Sequence, residues 1–262
     1  MMLSSIFSDN GRCSTLVSGS IKLMDVFPII PLLIATSLVM VTLAALAWRK
    51  RFNGHAAIFL SLSMLGVAIY CFGYALEISS DTLTAVMFWV RFQHLGIALI
   101  VPTWLLFALS VSGYKNWINT KLILVLSVIP IYLFLTAQTL GWLNLAHHNP
   151  RLAPLGPYLV LAYDRNSFNY ISIGYYTLCL GISTVLFAMM FFRAAPSARR
   201  HLSLYLIGSL PPWGTAILYN LNLDSSLLDP TPLLLGISSL FFTFGLLKFR
   251  ILYVIPLARN VI

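Results

Sequence analysis

The sequence predicts an all-α membrane protein, a polytopic bundle of seven transmembrane helices. Three observations carry that prediction: composition, the length of the apolar runs and the placement of charge. Of 262 residues, 59% are hydrophobic and only 9% charged, with a mean hydropathy of +0.89, whereas soluble domains are about half apolar and a quarter charged. A helix needs about 20 residues to cross a ~30 Å hydrocarbon core at ~1.5 Å per residue, and seven runs offer that. Transmembrane strands would be ~10 residues long and would alternate polar with apolar, unlike these runs. Each run must therefore satisfy its own backbone groups as a helix.

In order, the first run, 27–48, stops at Arg49, Lys50 and Arg51. The second, 56–77, ends on Glu77 and joins the third, 83–111, through the short turn 78–82. The fourth spans 118–138, the fifth 168–193, the sixth 201–221 and the seventh 230–248. Short connections make successive helices antiparallel neighbours. The long one, 139–167, holds Pro150, Pro154, Pro157, His147, His148 and several aromatics. It reads as a structural lid or as a share of a ligand-capturing surface. Its segment PYLVLAY, 157–163, fits a short strand or a stretch lying on the membrane. The adjacent histidines diverge and make no metal site. Cys13, Cys71 and Cys179 form no disulfide framework.

Charge orients the chain. Eleven of the 16 basic residues follow the odd-numbered helices: Arg49, Lys50, Arg51, Lys115, Lys121, Arg193, Arg199, Arg200, Lys248, Arg250 and Arg259. All seven acidic residues lie in the tail or at the opposite ends. The positive-inside rule then puts the N-terminus outside and the C-terminus in the cytoplasm, across a plasma membrane. The net charge of +9 reflects this topology and contact with anionic lipid, with no nucleic-acid partner. Residues 1–25 read as a tail, with Met24 an alternative start, 26–250 as the bundle and 251–262 as a short cytoplasmic segment after it.

The third helix carries the informative exception, FWVRFQHLG at 88–96. Arg91 and His94 share a face and Gln93 projects nearly opposite, so polar partners are needed on two sides and the helix should be surrounded by others. Gly96 and Ala98 are small enough for close helix approach. Glu77 is the natural partner for Arg91 across the second turn; Tyr70, Tyr74, Asn220, Thr177 and the loop histidines are further candidates. Ionisable groups inside a membrane are costly and mark functional sites by default. Three readings stay open: a structural tie, an outward polar pocket for a small or anionic ligand, and a proton or ion path. Pro102, Pro130 and the Pro211-Pro212 pair interrupt hydrogen-bond ladders and free carbonyls. Pro102, Pro211 and Pro212 are the candidate hinges.

Several classes are excluded. A retinal protein needs a lysine in mid-helix seven, and 230–247 has none. Metalloprotease, P-loop and Rossmann motifs are missing, so no cofactor and no catalysis are expected.

Over roughly 26–262 the chain resembles the seven-helix N-terminal sensor region of prokaryotic membrane histidine kinases. The matching stretches are Gly73–Glu77, Phe88–Gln93 with Leu95–Ala98, Pro102 with Trp104–Ala108, Leu210-Pro211 with Trp213, Gly214 and Asn220, and Phe249–Leu252 with Ile255–Arg259. The resemblance implies a membrane sensor of a two-component-like system whose exit segment, ILYVIPLARNVI, starts the connector to a cytoplasmic output. The sequence holds no phosphoacceptor-histidine helix and no ATP-binding glycine boxes, so kinase activity does not carry over. A truncated or split sensor and a stand-alone bundle acting through a signalling partner both fit. The expected function is therefore a receptor for an unknown small molecule, a homodimer by analogy, with Glu77, Arg91, Gln93, His94, Tyr74 and Asn220 as its polar core. The alternatives are a small transporter or channel using Arg91 and His94, or a non-catalytic membrane scaffold.

Overall fold

Seven α-helices and one β-hairpin make up the computed structural model, which describes residues 29–140, 142–143, 145, 148–155, 158–164, 166–220 and 228–248. They are α1 (Ile29–Arg49), α2 (His55–Ile78), α3 (Leu83–Val111), α4 (Thr120–Gln138), β1 (His148–Leu155), β2 (Tyr158–Asp164), α5 (Ser167–Arg193), α6 (Pro196–Asn220) and α7 (Thr231–Lys248). The N-terminal tail with Met24, His147 and the exit segment lie outside the described residues. Side-chain caps fix two starts: Thr82 accepts from the Ala85 N–H at 3.3 Å and Asn119 from the Leu122 N–H at 2.9 Å. The long loop contains a strand pair, β1 against β2 antiparallel, with Leu152 opposite Leu161.

Core and exterior follow from the apolar pattern. α2 and α3 form the centre; α2 also packs on α1 and α7, and α3 on α4 and α5, so α3 has neighbours on both of its polar faces while Phe88 and Leu95 stay exposed. Glycine sets the closeness of the central pair. A Cβ on Gly96 would stand 2.4 Å from the Gly66 carbonyl oxygen, and one on Gly66 2.8 Å from that of Gly96. The peripheral helices turn apolar side chains outward, with Leu38 65%, Leu124 63% and Val125 68% exposed, which suits contact with lipid rather than water.

Five helices are long and apolar enough to cross a membrane: α1 to α4, and Asn169–Arg193 within α5. α7 contributes a shorter apolar helix, Thr231–Phe244. α6 falls short of the expectation of a seventh lipid-grade run because Ser203, Ser209, Pro211, Pro212, Trp213 and Thr215 dilute it.

The prolines lie within continuous helices, and two of the carbonyls they free are taken by a neighbouring helix. Pro130 cannot donate to the Leu126 carbonyl one turn back, and the Tyr175 hydroxyl of α5 donates to that oxygen at 2.6 Å. Pro212 leaves the Gly208 carbonyl free in the same way, and the Ser238 hydroxyl of α7 donates to it. At Gly208 a Cβ would meet the Phe242 ring at 2.6 Å, so the missing side chain lets α6 and α7 close on one another. Phe242 enters an aromatic cluster with Trp104, Phe107, Phe187 and Tyr205 that joins α3, α5, α6 and α7; its shortest centroid separation is 4.3 Å, from Trp104 to Phe242.

Gly96→Ala should therefore destabilise the bundle by about 1–3 kcal/mol, since backbone rather than a flexible side chain opposes the new methyl. Gly174→Ala, where nothing lies within 4 Å, should leave thermal unfolding in detergent unchanged or slightly raised.

Candidate functional site

The second and third helices form a hairpin that sets the last turn of α2 against the early turns of α3. Glu77 ends up only 6% exposed, a position that requires hydrogen-bond donors. The Gln93 amide supplies one, donating from Nε2 to Glu77 Oε2 at 2.5 Å. Gly73, one turn before Glu77 on the same face, makes room for it: a Cβ there would lie 2.5 Å from Gln93 Cγ. A second donor is the backbone N–H of Leu161 in β2. One buried carboxyl thus joins α2, α3 and the hairpin that lies over them.

A turn earlier on α2, two tyrosines reach the start of α7. The Tyr70 hydroxyl donates to Asp229 Oδ2, and the Tyr74 hydroxyl accepts from the Asp229 N–H at 2.7 Å. Asp229 Oδ1 also accepts from the Thr231 N–H at 2.9 Å, satisfying one of the free donors at the N-terminus of α7. Asp229 is a site residue that the sequence reading passed over. An Asp-Pro-Thr start ahead of an apolar run is a helix-opening signature, which was the available signal.

Arg91 corrects an expectation. It does not pair with Glu77; among the described residues the ion pair is Arg151–Asp164 at 2.9 Å. Arg91 lies about 200° around α3 from Gln93, and α2 occupies the Gln93 side. The guanidinium turns toward α4 instead, where its Nη2 donates to the Leu140 carbonyl just beyond that helix, a favourable place for a cation at a helix C-terminus. Gln138 returns the contact, donating from Nε2 to the Arg91 carbonyl at 3.3 Å. Arg91 Nε is buried without a hydrogen-bond partner.

The other candidates separate. His94 Nδ1 lies 2.7 Å from the Val90 carbonyl of its own helix. Asn220 stands apart from the Glu77 cluster, exposed at the end of α6 and donating to Thr177 Oγ1 of α5 at 3.2 Å, because α6 packs on α5 and α7 and not on the start of α3. Of the proposed bending points, Pro212 is the one whose freed carbonyl ties α6 to α7; beside it, Trp213 donates to Thr184 at 3.1 Å. Among the described residues no three His, Cys, Asp or Glu side chains converge as metal ligands.

The hairpin has its own tie. Arg151 and Asn149 both donate to the Asp164 carboxylate, and these bonds, Arg151 first, hold its pKa below the usual aspartate range. A depressed native pKa stabilises above the ordinary value near 3.8 and loses that effect as pH falls through the native one. Protection of the hairpin amides, measured relative to their intrinsic exchange rates, should therefore fall as pH drops below the ordinary value near 3.8, and Arg151→Gln should lessen that dependence. In the buried cluster, Gln93→Leu deprives Glu77 of a donor and should lower stability by about 1–3 kcal/mol. Tyr74→Phe loses a single hydrogen bond and should lower it by about 1 kcal/mol, both read from thermal unfolding at one pH.

A family model described as the N-terminal 7TM region of histidine kinase matches residues 32–256. No curated protein matches the chain. The match takes in every described helix except the first residues of α1, and with them Glu77, Arg91, Gln93 and Asp229. It agrees with the apolar helices in making this a multi-pass membrane protein set in a lipid bilayer, a sensor module linked to histidine-kinase signalling. The chain belongs to the family of N-terminal seven-transmembrane regions of histidine kinases.

Proposed function

We propose that this protein is the ligand-sensing module of a two-component-like system. It crosses the membrane seven times, N-terminus outside and C-terminus in the cytoplasm, with its ligand site at the outer ends of α2 and α3 beneath the β1–β2 hairpin. The observation that carries the reading is the three-way bond at Glu77, where one buried carboxyl holds α2, α3 and the covering hairpin together. A ligand signals only by binding one arrangement better than another, and a group shared by a lid and two core helices is placed to feel such a difference. The Tyr70 and Tyr74 contacts to Asp229 carry the change to the start of α7, and α7, clasped to α6 at Gly208, leads toward the cytoplasmic output.

The test fuses the full chain ahead of a histidine kinase catalytic region and follows autophosphorylation in membrane vesicles against a panel of small molecules. Glu77→Gln weakens the hold on Leu161 without changing side-chain size, and it should shift basal autophosphorylation by at least ~3-fold, equivalent to ~0.7 kcal/mol between the two states. If neither the variant nor any compound alters the output of a correctly folded fusion, the sensing role is wrong.

A further inference from the structure

The two ionisable groups that sequence reasoning would have paired are left in different conditions. Glu77 has its donors, whereas Arg91 uses Nη2 on Leu140 and keeps Nε buried and unpartnered. A guanidinium offers five N–H donors and cannot lose its charge, so in a membrane setting it stays cationic with bonding capacity to spare. None of the described carboxylates is available to it. Glu77, Asp164 and Asp229 are bonded to Gln93, Arg151 and Tyr70 respectively, and Asp81 is exposed in the turn between α2 and α3.

The hairpin lies over this position. Leu152 and Leu161, opposite one another across the two strands, pack on Val86, Val90 and Leu140, the residues that flank Arg91 and supply its carbonyl partner. The unpartnered donor therefore sits beside an apolar patch whose cover is fixed to the bundle by the backbone bond from Leu161 to Glu77.

We propose that Arg91 recognises an anion with two adjacent oxygens, a carboxylate or a phosphate, that binds beside α3 when the hairpin lifts. This rests on the sensing role and names the chemistry of its ligand. Nε–H and a neighbouring Nη–H of a guanidinium form a fork that matches two such oxygens, a geometry lysine cannot offer. The anion is either a soluble molecule or the headgroup of an anionic lipid, and both present the same oxygens.

The experiment measures thermal unfolding of the full chain in phosphatidylcholine nanodiscs with octanoate, its neutral counterpart octanamide, or inorganic phosphate, and separately in nanodiscs containing phosphatidylglycerol. Stabilisation by octanoate or phosphate but not octanamide supports a soluble anion; stabilisation only by phosphatidylglycerol supports the headgroup. In either case Arg91→Gln should weaken the effect at least about tenfold, with Arg91→Lys intermediate. The lysine variant keeps the charge and guards against a simple failure to fold. No stabilisation by any anion, or equal stabilisation of wild type and Arg91→Gln, overturns the proposal. If Glu77→Gln still shifts kinase output in the fusion, the sensing role survives that result and only the anionic ligand is lost.

Discussion

A carboxyl group inside a helical bundle has to be answered by hydrogen-bond donors, and the hairpin end of this protein is arranged around the answer given at Glu77. Gln93 of α3 and the Leu161 backbone of the hairpin converge on it, and Gly73 gives the amide its space. In lipid there is no water to take over if a donor withdraws, so the spacing of α2 and α3 and the seat of the hairpin are set together. The glycine contact between Gly66 and Gly96 fixes the same two helices deeper in the bundle. α2 and α3 are therefore located at two depths, by a polar contact and by a steric one.

Elsewhere, polar contacts substitute for the hydrophobic driving force that lipid does not supply between helices. Ser37 to Ala68 and Ser61 to Ala44 join α1 to α2. Tyr175 to Leu126 joins α5 to α4, and Ser238 to Gly208 joins α7 to α6. In the last two the acceptor exists because a proline one turn later has no N–H to offer. Proline here creates attachment points between helices within segments that remain helical. That bears on how a bend at Pro212 would act: Pro211 and Pro212 offer the Gly208 carbonyl no N–H, so a change in the bend of α6 moves that oxygen relative to the Ser238 hydroxyl of α7.

Much of the fold was readable from the chain. Helices α1 to α5 and α7 begin and end within about two residues of the apolar runs, because lipid forces the backbone to close on itself wherever a run is long enough. α6 starts earlier than its run, at Pro196, because proline is suited to the first helical turn and basic residues are tolerated at a membrane boundary. The site was only half readable. The opposed faces of Arg91 and Gln93 were visible in the spacing, but charge complementarity favoured Glu77 for the wrong one. Gly73 held the information that decides the matter, since a glycine one turn from Glu77 opens a slot for a side chain from the next helix. Asp229 was hidden for another reason: its partners, Tyr70 and Tyr74, lie about 155 residues away in sequence, and no local pattern encodes such a contact.

The hold on α4 has a character of its own. Many of its apolar side chains face outward, Leu124, Val125 and Val128 among them; Leu126 packs into the main apolar core, and three hydrogen bonds add to that hold: Arg91 to Leu140, Gln138 to Arg91, and Tyr175 to Leu126. Such bonds strengthen as the surrounding dielectric falls and weaken where water competes for donor and acceptor. The attachment of α4 is consequently sensitive to the hydration of its surroundings as well as to packing. A dry bilayer interior strengthens these bonds to α3 and α5, whereas a wet detergent micelle weakens them, and the α2–α3 pair, held also by the close contact of Gly66 and Gly96, depends on hydration less.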